Sequence, residues 1–320
     1  MAGKPSVLHV IANLVERGTP HMRKPLVAAL FALVIAGAGA APAVAAPQPA
    51  TAAVKTVLTT VATTAKAVTA GRTATVQAAD FAGTVSLSNC SGSVIRLPNS
   101  ADTDPALVLT NGHCLETGFP SPGQVIVDQP SSRTFGLLNS SGSKVATLRA
   151  SKVAYSTMTD TDITIYQLTR TYAQIKSSYG ISALALADTH PVAGTAIKVV
   201  SGYWKRIYSC NIDGFVYRLK EGDWTWKDSV RYTSACNTIG GTSGSPVIDN
   251  TTGKVVAVNN TGNESGETCT VNNPCEVDAS GKVTVRQGIN YAEETYQIPA
   301  CFGIGNKLDL SASGCVLPKP

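Results

Sequence analysis

From Phe81 to its last residue, the chain is a succession of short runs rich in Val, Ile and Thr, separated by Gly, Pro, Asn and Ser. Runs of this length and composition, bounded by turn residues, predict β-strands. We expect strands at 93–97, 106–110, 124–127, 144–148, 162–168, 196–201, 214–219 and 254–258, and one short helix at 172–178. Strands at this spacing over about 240 residues favour a β-sandwich or β-barrels, and the pattern alone leaves both open.

The N-terminal region has the composition of an export signal. Residues 22–24 are a short basic start, residues 26–36 are an apolar run, and residues 43–45 are small. A membrane-spanning helix needs about 20 apolar residues, and this run is shorter. We therefore expect residues 1–46 to be a cleaved signal peptide, with Met22 as an alternative start. The mature protein is then secreted, extracellular and without a membrane anchor.

The segment 47–80 differs in composition from the strand-rich region after it. It contains no aromatic residue and no cysteine, and consists mainly of Ala, Thr and Val. Such a segment lacks the side chains for a core of its own and predicts a flexible linker or a pro-segment. The folded domain is expected at 81–320.

The charge pattern argues against a nucleic-acid partner. The formal net charge is +5, but the leader holds four basic residues and one acidic residue, so the remainder carries +2. No basic run is left after the leader. Nucleic-acid binding proteins concentrate Lys and Arg on one face or segment, and this chain does not.

The chain has eight cysteines, an even number. In a secreted protein this predicts four disulfides. A zinc site is the alternative, but no C-x-x-C pair occurs, so we expect neither a metal nor a cofactor. The pairing is left open by the count, because eight cysteines allow 105 connectivities.

Histidine narrows the choice of a catalytic base. Two of the four histidines lie in the leader, which leaves His113 and His190 in the mature protein. His190 stands in a polar loop and is predicted to be a surface residue. His113 follows an apolar run and precedes Cys114, so a disulfide would hold it rigidly. A buried structural histidine is the alternative for His113.

Two further segments have the residue types of a nucleophile and its supporting acid. Residues 240–246 (GGTSGSP) place Ser243 between glycines, as a tight turn with free backbone N–H groups requires. Asp162 stands at the start of an apolar run, where a buried carboxylate could orient an imidazole. Asp160 is its rival, because residues two apart in a strand share a face.

Together these segments resemble the trypsin/chymotrypsin superfamily of serine peptidases. Residues 110–114 (TNGHC) are similar to the histidine motif of that family, 162–168 to its acid motif and 241–246 to its nucleophile motif, in the family's order and at its separations of 49 and 81 residues. The resemblance covers about residues 80–300. It implies an all-β, chymotrypsin-like fold of two six-stranded antiparallel β-barrels, about 81–170 and 171–300, with the active site in the cleft between them.

The same resemblance implies roles for individual residues. His113 is the general base, Asp162 orients it, and Ser243 forms an acyl-enzyme, with the oxyanion bound by the N–H groups of Gly241 and Ser243. Residues 90–95 resemble the strand whose cysteine pairs with the one beside the catalytic histidine, which implies Cys90–Cys114. We expect the other cysteines to pair in sequence order, as Cys210–Cys236, Cys269–Cys275 and Cys301–Cys315.

Two departures from trypsins affect activation and specificity. Thr242 stands where trypsin-type zymogens carry Asp, so activation by insertion of a new N-terminus is not expected. Ser245 replaces a common glycine and resembles the bacterial glutamyl-endopeptidase (V8-like) branch.

The substrate pocket is expected at Asn237, Thr238, Asn259 and Gly262. No carboxylate lies near Asn237, so we expect a small or polar P1 pocket and poor cleavage after Lys or Arg. Thr238 matches a pocket residue of glutamyl endopeptidases, but Asn259 replaces their histidine. The expected partners are protein or peptide substrates, and the expected state is a monomer.

Three other functions are weighed against this interpretation. An α/β-hydrolase esterase needs G-x-S-x-G and a histidine after the serine, and the sequence has neither. A metallohydrolase would need more histidines than the mature chain offers, and no HExxH is present. A catalytically inactive binding protein on a protease fold is the alternative that remains, although such proteins usually lack a triad member.

Overall fold

The computed structural model describes residues 80–320. The expected signal peptide and all of the expected linker but its last residue lie outside the described residues. Within 80–320, no helix is long and apolar enough to cross a membrane. The described chain is nearly all β-structure, with one α-helix and two short 3₁₀ turns.

The first half of the described chain forms a closed antiparallel barrel of six strands. Its ring runs β1-β5-β6-β7-β3-β2, and β2 pairs with β1 to close it. An additional strand, β4, pairs with β6, and β8 pairs parallel with β2. The strands are β1 (Thr84–Ser86), β2 (Ser91–Arg96), β3 (Pro105–Thr110), β4 (Val125–Pro130), β5 (Thr134–Leu138), β6 (Lys144–Thr157), β7 (Ile163–Thr171) and β8 (Leu184–Ala185).

The second half forms another closed six-stranded antiparallel barrel. Its ring runs β11-β16-β13-β12-β9-β10, closed by the β10–β11 pair, and the β14–β15 hairpin extends from β10. The strands are β9 (Ala196–Ser201), β10 (Arg206–Glu221), β11 (Trp224–Tyr232), β12 (Pro246–Asp249), β13 (Val255–Gly262), β14 (Cys275–Val277), β15 (Val283–Val285) and β16 (Asn290–Glu294). The chymotrypsin-like double barrel expected from the sequence is confirmed.

Strands that separate the two barrel interiors are buried on both faces. In β3, Ala106 and Val108 point into the first barrel, while Leu107 and Leu109 point into a cluster shared with the second. Alternation of side chains across a strand produces this division. It explains why the sequence here is a continuous apolar run rather than an alternating one.

The connecting helix and the C-terminal segment complete the fold. Helix α1 (Tyr172–Tyr179) begins at a capping box between Thr171 and Gln174 and ends at Gly180, which has a φ of 70°. After a 3₁₀ turn at Pro299–Cys301, the short strands β17 (Phe302–Gly303) and β18 (Lys307–Leu308) pack against the shared cluster.

Candidate active site

Asp162 holds His113 through two hydrogen bonds, one to its backbone and one to its imidazole. A 3₁₀ turn, Gly112–Cys114, follows β3 and carries His113 to the start of β7, where Asp162 is fully buried. One carboxylate oxygen accepts the backbone N–H of His113 at 3.0 Å, and the other lies 2.7 Å from Nδ1. With Nδ1 donating to Asp162, Nε2 is left as the basic nitrogen. The side chain of His113 is one-fifth exposed and lines a cavity.

The charge around His113 favours its protonated form. Burial lowers the pKa of His113, but the charge and hydrogen bond of Asp162 and the charge of Glu221 raise it, and the net result lies above the ordinary value of 6.5. A raised pKa makes the neutral imidazole a stronger base.

Asn111 connects the three segments of the site. Its fully buried amide donates to the carbonyl oxygen of Asp162 at 2.8 Å and accepts the backbone N–H of Gly244 at 2.5 Å. The signal in the sequence was an Asn where alanine is commoner in the resembled motif, but its partners could not be inferred without the fold. It fixes the loop that carries Ser243 against the segment that carries Asp162.

Ser243 lies in a turn that two glycines make possible. Gly241 and Gly244 have φ values of 86° and 78°, in the region that side chains disfavour. A Cβ at Gly244 would also lie 2.1 Å from the carbonyl oxygen of Ser91. The carbonyl of Ser243 accepts the N–H of Ser91 at 2.7 Å, which ties the serine turn of the second barrel to the first.

Ser243 lines the same cavity as His113. Ser243 Oγ donates to the carbonyl oxygen of Asn260 at 3.2 Å rather than to His113. Among residues 80–320, the backbone N–H groups of Gly241 and Ser243 donate to no protein oxygen. Both amides are therefore free to receive a substrate oxyanion.

A cavity of about 330 Å³ brings the expected site residues together. It is lined by His113, Asp162 and Ser243 and by all four expected pocket residues, Asn237, Thr238, Asn259 and Gly262.

Asn290, which the sequence analysis did not single out, narrows one side of this cavity. It pairs with Gly262 across the sheet, accepts from the Thr238 hydroxyl at 2.9 Å and donates to the Cys236 carbonyl at 3.1 Å. A Cβ on Gly262 would lie 2.2 Å from the side-chain amide oxygen of Asn290. Only the strand pairing of β13 with β16 brings this side chain to the pocket.

Two buried glutamates beside the site were also missed by sequence reasoning. Glu293 is fully buried, accepts from Asn260 and Ser229 at 3.0 Å each, and has its pKa raised to about 8 by burial and then by the charge of Asp162. Glu221 ends β10 and lines the cavity. No local motif marks either residue, because strand pairing and the β10–β11 hairpin bring them to the site.

The rival candidates lie elsewhere. Asp160 has a φ of 60°, so it precedes the strand in a left-handed conformation, and its carboxylate pairs with Lys227 instead of His113. The expectation that Asp160 could share the face of Asp162 is therefore wrong. His190 is half-exposed and contacts Asp228 and Glu294 at 3.3 and 3.0 Å, partners that only the fold brings to it.

The structure contains four disulfides, and one of them borders the site. Cys90–Cys114 joins the start of β2 to the residue after His113. The others are Cys210–Cys236, Cys269–Cys275 and Cys301–Cys315. These are the pairs expected from the sequence, and none of the cysteines in the described chain is free.

Residues 90–258, more than half of the chain, match the family described as trypsin-like peptidase domain. The chain belongs to this family. The match includes His113, Asp162 and Ser243, and it supports a proteolytic function for the domain. No curated protein matches the chain.

Solved structures of serine proteases are similar at low identity. A protease of M. tuberculosis in its active form, Rv3671c, is 16% identical with a TM-score of 0.44, over 77% of this chain and 87% of that one. The protease domain of MamO from Magnetospirillum magneticum is 12% identical with a TM-score of 0.41, over 67% and 92%. A serine endoprotease from Yersinia pestis is 11% identical with a TM-score of 0.38, over 67% and 59%.

Proposed function

We propose that the mature protein is a secreted serine endopeptidase with His113, Asp162 and Ser243 as its catalytic triad. The observation that carries this proposal is the 2.7 Å contact between His113 Nδ1 and Asp162, with Ser243 on the same cavity. A buried carboxylate on Nδ1 keeps Nε2 free of a proton, as a general base requires.

The reaction proceeds through an acyl-enzyme. His113 Nε2 takes the proton of Ser243 Oγ as that oxygen attacks the scissile carbonyl, and then gives it to the leaving amine. A water molecule, activated by the same imidazole, hydrolyses the ester. The Ser243 hydroxyl must first leave the Asn260 carbonyl. Catalytic hydrogen bonds of free enzymes often tighten only when substrate binds.

The oxyanion is bound by the amides of Gly241 and Ser243. Both N–H groups are free within the described chain, and the positive φ of Gly241 sets the direction of the turn. Removing one donor of such a site typically costs on the order of 10²–10³ in kcat.

The P1 pocket is proposed to be small and polar. Thr238, Asn259 and Asn290 offer amide and hydroxyl groups, and Asn290 restricts the depth next to Gly262. We infer poor cleavage after Lys or Arg at P1. The likeness of Thr238 and Ser245 to glutamyl endopeptidases remains a prediction. The boundaries of the leader, the pro-segment and the two barrels also remain predictions, and so does the monomeric state.

The proposal is tested by hydrolysis of casein and of internally quenched peptides by wild type and by Ser243→Ala. Loss of the nucleophile lowers kcat by roughly 10⁶ in enzymes of this kind, so turnover by the variant should be undetectable. His190→Ala is the control, because it removes an imidazole that does not line the cavity. A wild-type protein that binds peptides but cleaves none would favour the inactive binding protein instead.

A further inference from the structure

One carboxylate in the candidate active-site cavity has an oxygen without a hydrogen-bond partner. Glu221 is 7% exposed and lines the cavity that holds His113 and Ser243. Its Oε1 accepts the backbone N–H of Asn272 at 2.8 Å, but its buried Oε2 has no hydrogen-bond partner among residues 80–320. A buried acceptor without a donor costs about 1–3 kcal/mol, and more when it is charged. This oxygen is therefore suited to a donor that arrives with a ligand.

The charges that line the cavity favour a positively charged ligand group as the donor to Glu221. Its charged lining residues are Asp162, Glu221, Glu264 and His113, and no Lys or Arg of the described chain lines it. Burial raises the pKa of Glu221, and the Thr261 hydroxyl, the Asn272 amide and the charge of His113 oppose this. A cationic group would neutralise the carboxylate, whereas an acidic group would be repelled.

Aromatic side chains enclose the same part of the cavity. Phe119 and Trp224 line it and pack edge to face, with ring centroids 5.9 Å apart. The Trp224 indole is fixed by a hydrogen bond to the Pro120 carbonyl at 2.9 Å. Aromatic faces attract ammonium and guanidinium groups and pack against their methylene stems.

Extended peptide geometry assigns the substrate position. Successive side chains of a strand point to opposite faces, so when P1 enters the pocket at Thr238, the P2 side chain points away from that pocket. Phe119 lies next to the imidazole of His113, with ring centroids 5.8 Å apart, and the charge of Glu221 acts on the same imidazole. We infer that the P2 side chain enters the cavity beside these two groups.

We propose that Glu221 forms, with Phe119 and Trp224, a subsite that binds a lysine or arginine side chain at P2. The inference rests on the proposed peptidase function and names its substrate class. A substrate ammonium or guanidinium group donates to Oε2, which has no donor from the described chain.

The experiment uses internally quenched peptides that differ only at P2, with Lys, Gln or Leu. For wild type, expressed as the full chain, kcat/KM should be at least about tenfold higher with Lys than with Gln, the size expected for one charged hydrogen bond. In Glu221→Gln, which keeps an oxygen for the Asn272 amide, the Lys-to-Gln ratio should fall to about one. Asp223→Asn removes an exposed charge from the same hairpin and should keep the wild-type ratio.

A wild-type ratio near one with measurable cleavage would overturn the P2 assignment and leave the peptidase proposal intact. Preservation of the ratio in Glu221→Gln would also overturn it. Cleavage of none of the peptides by wild type would overturn the peptidase proposal, and this inference with it. A peptide library with fixed positions P4 to P1, cleaved by wild type alone, gives an independent result if the variant does not fold. A basic preference at P1, P3 or P4 instead of P2 would contradict the assignment.

Discussion

At the scale of single residues, backbone conformation decides which of two neighbouring aspartates reaches the imidazole. Asp162 immediately precedes β7 with its carboxylate buried against His113, whereas Asp160 has a left-handed backbone and pairs with Lys227 near the surface. The sequence left both aspartates as candidates, because side chains two residues apart share a face in a regular strand. Asp160 lies before the regular strand, so this rule does not apply to it. The motifs around His113 and Ser243 are local, so they were predictable, whereas Glu221 and Asn290 depend on strand pairing.

We predict that Asp162→Asn lowers kcat by about 10⁴, because an amide stabilises the wrong tautomer of the imidazole. Asp160→Asn should leave kcat within about twofold, since an exposed ion pair such as its pair with Lys227 contributes at most about 1 kcal/mol. Steady-state kinetics of the two variants checks this. The reverse order of effects would place the acid of the triad at Asp160.

The pH dependence of kcat/KM follows from the charges that face His113. Its pKa lies above 6.5 despite burial, because Asp162 and Glu221 stabilise the imidazolium, and the protonated form cannot act as a base. Activity should therefore rise with pH, with its half-maximum above pH 6.5. In Glu221→Gln the half-maximum should move to lower pH, measured with a substrate that is neutral at P2. An unchanged profile in this variant would mean that Glu221 is uncharged or screened from the imidazole.

At the scale of elements, the fold was predictable where apolar residues run continuously. Strand β9 matches its predicted bounds, 196–201, and the helix differs by one residue. Strand β10 extends to Arg206–Glu221, although only 214–219 was expected, because its exposed residues Ser209, Asn211 and Asp213 interrupt the apolar pattern. Polar residues on the solvent face thus hid the first half of β10, whereas Glu221 lies only two residues beyond the predicted end of the strand.

The Cys90–Cys114 disulfide ties β2 to the turn that carries His113. Cys90→Ala with Cys114→Ala should lower the free energy of unfolding by about 2–5 kcal/mol. It should also lower kcat by on the order of tenfold or more, because a small displacement of the base is costly. Cys301→Ala with Cys315→Ala is the matched control. This variant should lose stability, but its kcat should equal that of wild type when the assay temperature is well below the melting temperature of the variant. Equal kcat in both double variants would contradict a positioning role for Cys90–Cys114.

At the scale of the whole molecule, two buried carboxyl groups in β16 link stability to pH. Burial and the charge of Asp162 raise the pKa of Glu293 from 4.5 to about 8, and burial with Asp228 and Glu293 raises that of Glu294 to about 9. Below pH 4.5 both groups are protonated whether or not the chain is folded. Above it the unfolded chain loses these protons first, so the free energy of unfolding falls as pH rises toward 8 and 9.

Glu293→Gln should reduce this fall, because glutamine does not titrate and its amide oxygen can still accept from Asn260 and Ser229. Chemical denaturation of wild type and variant across pH 5 to 9 measures the difference. The variant should gain stability relative to wild type as pH rises. Parallel curves would show that Glu293 is ionised in the folded protein.

The most direct test of the catalytic assignment is labelling with a fluorophosphonate, followed by peptide mapping. The reagent reacts only with a serine activated by a base: Ser243 Oγ forms a bond to phosphorus, fluoride leaves, and His113 takes the hydroxyl proton. We predict one adduct per chain, on Ser243, which is absent in Ser243→Ala and strongly reduced in His113→Ala. A wild-type protein without an adduct, or with its adduct on another residue, would contradict the account.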